Sequence, residues 1–166
     1  MRFLGNIEAK TDAKGRVFLP SVFRKVLQAS GDEQLVMRKD IHQKCLVLYP
    51  ESVWNKRVDA LRATISEWDD EGMMVLRQYM QGAEVTVLDG NGRFLIKSEY
   101  LAAAEIDHAV RFIGMTDFIE IWAADKAEKP FMSQSEFSSK LKAIMTGFGS
   151  YDPPLATTAA TQQPAD

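Results

Sequence analysis

Two five-residue segments with the pattern Asp-x-x-Gly-Arg are the part of this 166-residue sequence best suited to chemistry. Residues 12–16 are DAKGR and residues 89–93 are DGNGR, and a short apolar run follows each. Glycine takes a positive φ without steric cost, and aspartate accepts hydrogen bonds from nearby backbone amides. Arginine carries a planar, permanently charged group that fits phosphates and guanine edges. Each segment is therefore predicted to be a tight loop that presents a cation.

The same residue types also have a purely structural explanation. Asp12 can pair with Arg16, and Asp89 with Arg93, so that each pair simply closes a turn between strands. One such pattern has little specificity. The same pattern occurs again 77 residues later, also between strand-like runs, and this repetition favours a duplicated binding scaffold. The residues alone leave both explanations open.

Charge is distributed unevenly along the chain. The formal net charge of −3 argues mildly against a nucleic-acid partner. Residues 1–30 nevertheless hold six basic and two acidic residues, which gives this segment +4 and leaves −7 for the remainder. Such asymmetry is a hint of a polyanion partner at one face, although a locally basic N-terminus also arises by chance.

The elements that must position the two loops recur in the same order in each half. A hairpin-like strand pair is predicted around each loop, followed by a helix and then by two more strands. The predicted helices of this repeated unit are residues 21–30 and 98–106. Two further helices, at 51–66 and 73–81, are predicted between the halves. The final strand is expected to pass directly into a helix that ends near Phe148.

This order divides the chain into three parts. Residues 1–76 form the first repeat, residues 77–150 the second, and residues 151–166 a tail. The tail is rich in Pro, Ala, Thr and Gln and poor in large apolar side chains, so it is predicted to be disordered. The two repeats are expected to pack together because neither alone offers a large core.

Composition and motif spacing disfavour several other classes. No apolar stretch has the roughly 20 residues of a membrane helix, and the N-terminus lacks a secretory apolar region. The single cysteine, Cys45, suits a reducing compartment, so a cytoplasmic protein is expected. His42 and His108 have no partners at metal-ligand spacing, and the acidic residues 69–71 fit a solvated turn between helices. No cofactor, metal site or enzymatic activity is predicted.

Several motifs in residues 1–148 together resemble one family. They are Phe-x-Gly at residues 3–5, DAKGRVFLP, a strand that ends LVLYP, the helical VWNKRV, and DGNGRFLI followed later by EIW. In this order they resemble the MraZ family, bacterial transcriptional regulators at the head of the division and cell-wall gene cluster. The resemblance implies an α+β fold of two AbrB-type swapped-hairpin repeats, forming a pseudo-symmetric β core flanked by helices. It also implies closed rings of eight or more subunits that bind short direct repeats in double-stranded promoter DNA.

The family's DNA-contacting loops carry over to this sequence by position. The DNA-binding residues that the resemblance implies are Lys14, Gly15, Arg16, Gly92 and Arg93. The residues implied to shape the loops are Asp12 and Asp89. These assignments suit a regulator that acts without catalysis and is associated with the nucleoid.

The second repeat departs from the family pattern, in which a proline and a basic residue usually follow each loop. Pro20 and Arg24 of the first repeat correspond to Lys97 and Leu101, and Asn91 takes the place of the first loop's lysine. We therefore expect the first loop to dominate DNA binding. Two alternatives stay open: an oligomeric protein-interaction scaffold that does not bind DNA, and an AbrB-type antitoxin. The internal duplication argues against the antitoxin, which normally has one loop per chain.

Overall fold

Short strands and helices follow one another in nearly the predicted order. The computed structural model describes residues 1–126 and 128–147. In the first of these ranges the elements are β1 (Asn6–Lys10), β2 (Arg16–Phe18), α1 (Ser21–Ser30), β3 (Leu35–Lys39), β4 (Leu46–Pro50), α2 (Glu51–Ala63), α3 (Asp70–Gln81), β5 (Ala83–Thr86), β6 (Arg93–Leu95), α4 (Ser98–Ala103), β7 (Ala109–Gly114) and β8 (Ile119–Ala123). A separate compact unit begins at Glu128 and contains α5 (Gln134–Gly147).

The strands form two antiparallel sheets. The larger has the order β1-β7-β8-β4-β3-β5, and the smaller pairs β2 with β6. The first strand of each half pairs with a strand of the other half, since β1 lies beside β7 and β5 beside β3. The β2–β6 and β4–β8 pairs also join the two halves. The list of strand pairs is therefore unchanged when the halves are exchanged.

Local sequence signals explain the boundaries of α1. The helix starts directly after Pro20, whose ring restricts its own φ to −51°. It ends at Gly31, which has a left-handed φ of +78°. The Gly31 amide donates to the carbonyls of Leu27 and Gln28, as expected for a left-handed C-terminal cap. Phe23 and Leu27 are buried from one face of the helix. That apolar face holds α1 against the sheets.

The main core lies between one face of the large sheet and the layer formed by β2, β6, α1 and α4. Its largest fully buried side chains include Phe3, Phe23, Phe94 and Phe112. Alternate residues of β3 and β4 point to the opposite face of the large sheet, as strand geometry requires. There α2 and α3 cover a second cluster, formed by Val36, Val47, Tyr49, Val53, Trp54 and the partly buried Tyr79.

Two details differ from the sequence-based expectations. Among the described residues neither β1 with β2 nor β5 with β6 forms a ladder, and each of these strands pairs with a strand of the other half. The predicted helix directly after β8 was wrong: residues Ala124–Lys126 make one 3-10 turn, and α5 starts only at Gln134. Pro130 explains part of this delay, since it lacks an amide hydrogen and disfavours helical backbone at the residue before it.

The fold class is confirmed as α+β with an antiparallel sheet. The division into repeats at residues 76 and 77 stays a prediction. The helix end expected near Phe148 and the tail at 151–166 lie outside the described residues.

Candidate nucleic-acid interface

The first Asp-x-x-Gly-Arg loop joins β1 to β2 and is organised around one carboxylate. Asp12 Oδ1 accepts hydrogen bonds from the amides of Lys14 and Arg16, both at 2.9 Å. Its Oδ2 accepts the Arg16 Nε–H at 2.7 Å. The Gly15 amide donates to the Asp12 carbonyl at 3.0 Å, which closes the turn. The carboxylate thus fixes both the loop backbone and the direction of the arginine.

The second loop, between β5 and β6, repeats this arrangement bond for bond. Asp89 Oδ1 accepts the amides of Asn91 and Arg93 at 2.8 and 3.0 Å, and Oδ2 accepts the Arg93 Nε–H at 2.9 Å. The Gly92 amide donates to the Asp89 carbonyl at 3.0 Å. The two segments that the sequence singled out therefore have one geometry. In both, Nε is engaged within the loop, and the terminal guanidinium nitrogens form no hydrogen bond to any described residue.

These hydrogen bonds stabilise the ionised form of both aspartates. The pKa of Asp12 lies below its ordinary value of 3.8, chiefly because the Arg16 amide donates to the carboxylate. The pKa of Asp89 is lowered in the same way, with the Arg93 amide as the main cause. Both side chains are thus negatively charged at neutral pH. Each neutralises part of the arginine's charge and holds that arginine in place.

The loop glycines dock each loop against the opposite half. Gly15 and Gly92 have φ of +85° and +80°, which favour glycine. The Gly15 carbonyl accepts the amide of Ile96 at 2.9 Å, and the Gly92 carbonyl accepts the amide of Leu19 at 3.0 Å. A Cβ on Gly15 would lie 2.5 Å from the Ile96 carbonyl oxygen. Close packing against the partner half therefore restricts this position to glycine.

Pairing of β2 with β6 brings both arginines to one outward face. Arg16 lies opposite Leu95, and Phe18 lies opposite Arg93, so the arginines are diagonal neighbours across the ladder. Diagonal Cα atoms in such a pair are about 7 to 8 Å apart. Val17 and Phe94, between them, are buried on the inner face. We call the four outward residues of this ladder the arginine face; they are Arg16, Phe18, Arg93 and Leu95.

Lys14 adds a further cation beside this face. Its side chain is exposed. Among the described residues no carboxylate lies within 4.0 Å of its ammonium group, and the Asp12 contact is to its backbone amide. The first loop therefore carries an unneutralised positive charge, whereas Asn91 supplies none at the matching position of the second loop.

Comparison with known proteins establishes the family. A family model described as "MraZ protein, putative antitoxin-like" matches residues 2–77. "Transcriptional regulator MraZ" of Phocaeicola vulgatus is 56% identical over 145 residues, which cover 87% of this chain and 94% of that protein. This chain belongs to the MraZ family.

Other MraZ relatives span the same length. The proteins named "Transcriptional regulator MraZ" of Bacteroides thetaiotaomicron and Bacteroides fragilis are 51% and 50% identical, each over 87% of this chain. They are covered to 93% and 92% of their own lengths. An alignment over 145 of the 166 residues necessarily includes the second loop, and the family model covers the first.

Two residues next to the loops of this MraZ chain were not predicted from the sequence. Phe18 is 54% exposed on the arginine face, and the guanidinium carbon of Arg93 lies 5.8 Å from the centre of its ring. The alternation of Arg16, Val17 and Phe18 along a strand could have predicted that Phe18 points outward, but not that it contacts Arg93. Arg24 was noted as the basic residue that follows the first loop in the family pattern, but it lies against Gly92 of the second loop. No periodicity within α1 could have indicated that contact.

The remaining candidate sites show ordinary structural environments. Cys45 is buried, and burial raises the pKa of its thiol to about 12, so the thiol is protonated at neutral pH. The acidic residues 69–71 are exposed where α3 begins. Within residues 1–126 and 128–147, no three His, Cys, Asp or Glu side chains are grouped as metal ligands. None of the helices in these ranges combines the length and hydropathy that a bilayer span requires.

Proposed function

We propose that this chain is a transcriptional regulator that binds double-stranded promoter DNA through its two Asp-x-x-Gly-Arg loops. The observation that most directly supports this proposal is the arginine face. There Arg16 and Arg93 share one outward surface, and each is oriented by a loop aspartate. Charge-assisted hydrogen bonds from such preorganised guanidinium groups suit phosphates and guanine edges. The naming of relatives as transcriptional regulators supports this function.

Each loop residue has a separate role in this proposal. Lys14 and Arg16 make the principal DNA contacts, and Arg93 makes the equivalent contact from the second loop. The positive φ of Gly15 and Gly92 lets each loop turn tightly, so that its cation can reach the DNA backbone. Asp12 and Asp89 do not touch DNA but hold the arginines, as their three hydrogen bonds each support.

The family resemblance extends the proposal to fold type, assembly and target. We assign the fold to two AbrB-type swapped-hairpin repeats, a view supported by the exchange of β1 and β5 between the halves. A ring of eight or more subunits would present many arginine faces to short direct repeats. Multivalency would then raise the affinity of an acidic protein for DNA, because linked sites bind at high effective concentration. The proposed target is the division and cell-wall gene cluster. The protein would bind it in the cytoplasm, in association with the nucleoid.

Replacement of Arg16 tests the interface directly. Arg16→Ala is expected to abolish a gel shift with the DNA segment upstream of the protein's own gene. It should leave the oligomer mass, measured by light scattering, unchanged. Removal of the guanidinium takes away a phosphate or base contact but no buried packing, since this side chain lies on the arginine face.

Arg77→Ala is the matched control. It removes the same charge from an exposed position on α3, on the opposite face of the large sheet. This variant is expected to bind as the unmodified protein does. If Arg16→Ala retains full affinity at equal salt, the assignment of the contact loop is wrong.

A protein-interaction scaffold is the second candidate. The exposed Phe18 and Leu95 on the arginine face favour it, because apolar groups beside arginine are common in protein interfaces. A salt titration with promoter and unrelated DNA separates the two functions. DNA binding that weakens steeply with salt supports the regulator, whereas no DNA binding at any salt concentration selects the scaffold.

A further inference from the structure

The two loops differ in charge although their backbone geometry is the same. The first carries Lys14 in addition to its arginine, and the second has Asn91 at that position. On sequence grounds the second loop therefore has one cation fewer. The structure brings another cation to it from the first half of the chain.

That cation is Arg24, which projects from α1 onto the second loop. A Cβ built on Gly92 would lie 2.3 Å from Arg24 Nη1 and 3.0 Å from its guanidinium carbon, so the group lies directly against the loop backbone. At the corresponding place in the first loop, the neighbour of Gly15 is Leu101, with Cδ1 at 3.6 Å from a Cβ built there. Each loop thus receives a side chain from the helix of the opposite half, but only the second receives a charge.

The charge of Arg24 is not neutralised within the described part of the chain. No carboxylate there lies within 4.0 Å of its nitrogens, and its Nε is buried without a hydrogen-bond partner. Three carboxylates, Asp32, Glu33 and Asp89, line the same cavity of about 240 Å³, and Asp32 and Asp89 are engaged elsewhere. Asp89 holds its own loop arginine, and Asp32 accepts hydrogen bonds from the Ser52 amide and hydroxyl.

We infer that Arg24 and Arg93 form a composite phosphate-binding corner at the second loop. Arg24 supplies in trans, from the first half, the positive charge that Asn91 does not supply. This inference rests on the proposed function, because its ligand is the phosphate backbone of the same DNA. It also changes the expectation that the first loop dominates DNA binding. The first loop binds through Lys14 and Arg16 and the second through Arg93 and Arg24, so each loop offers two cations.

Arg24→Met tests the corner while retaining an unbranched stem for packing against the loop. Binding to the upstream DNA fragment is measured over a range of salt concentrations. We expect affinity to fall about fivefold or more, since charge-assisted contacts are lost. The slope of log affinity against log salt should become shallower by about 0.9 for each protomer in contact with DNA. Lys14→Ala, measured in parallel, calibrates how many protomers are engaged.

Controls separate a phosphate contact from a role in packing. Arg24→Lys keeps the charge and should keep the original slope, whereas Arg77→Met removes a distant charge and should change nothing. If Arg24→Met does not fold, Arg24→Gln provides a second neutral variant. Affinity that falls with an unchanged slope, or no change in affinity, overturns the inference. If Arg16→Ala loses binding but Arg24→Met does not, only this inference fails; if both bind normally, the proposed interface fails.

Discussion

At the scale of single residues, each loop depends on one ionised carboxylate. Asp12 accepts three hydrogen bonds, and its pKa is lowered mainly by the Arg16 amide. A carboxyl group whose pKa is lower in the folded state stabilises that state above its unfolded pKa. The stabilisation is lost as the pH falls through the lowered value. The loops should therefore keep their structure at every pH above about 4 and lose it only in stronger acid.

An NMR pH titration measures this directly. The carboxyl carbons of Asp12 and Asp89 are expected to titrate with midpoints below 3.8, and the amides of Arg16 and Arg93 should shift with the same midpoints. Midpoints for the loop aspartates at or above 3.8 would contradict the hydrogen-bonding scheme.

Residue types and spacing could predict the loop chemistry but not its surroundings. The sequence indicated the loop glycines, aspartates and arginines because their functions are local, within five residues. The neighbours Phe18 and Arg24 were missed for a different reason. Their contacts with the second loop come from packing between halves, about 70 residues apart in sequence, which no local pattern encodes.

At the scale of elements, the β2–β6 ladder carries the arginine face on a buried support. Phe94 is 2% exposed and contacts Phe112 edge-on, with ring centres 6.2 Å apart. Phe94→Ala is expected to lower the free energy of unfolding by about 3 to 5 kcal/mol, because it leaves a cavity beneath the ladder. Urea denaturation followed by circular dichroism measures the loss.

Leu95→Ala is the control for this change. It lies next to Phe94 in the same strand, but its side chain points outward and is partly exposed. We expect it to cost about 1 kcal/mol or less. Comparable losses for the two variants would mean that the inner face of the ladder is not the part that stabilises it.

The elements themselves were predicted more accurately than their partners. Helix α1 follows its apolar spacing and its Pro20 and Gly31 boundaries, and these are local signals. The hairpin expected around the first loop was wrong in its pairing, since β1 lies beside β7. Alternating apolar residues indicate that a segment is a strand, but they do not identify which other strand it will join.

At the scale of the whole molecule, neither half contains the partners its own strands need. In a fragment of residues 1–82, β1, β2 and β4 would lack β7, β6 and β8, and β3 would keep only one of its two neighbours. We expect neither residues 1–82 nor residues 83–166 to fold as a monomer. Light scattering and circular dichroism of each fragment test this.

Mixing the two fragments supplies the matched comparison. An equimolar mixture should recover the far-ultraviolet spectrum and the thermal transition of the intact chain, because all cross-half pairs become available again. A cooperative thermal transition in either fragment while it remains a monomer would show that the halves are independent domains, contrary to this expectation.

The exchange of first strands also bears on synthesis of the chain. Residues 6–10 leave the ribosome roughly 100 residues before their partners at 109–113. At about 5 to 20 residues per second, the N-terminal strand waits about 5 to 20 s with its backbone groups unpaired. Nascent chains on one polysome would carry many such open edges close together. Translation speed would then influence whether a newborn chain completes its own sheet or joins that of a neighbour.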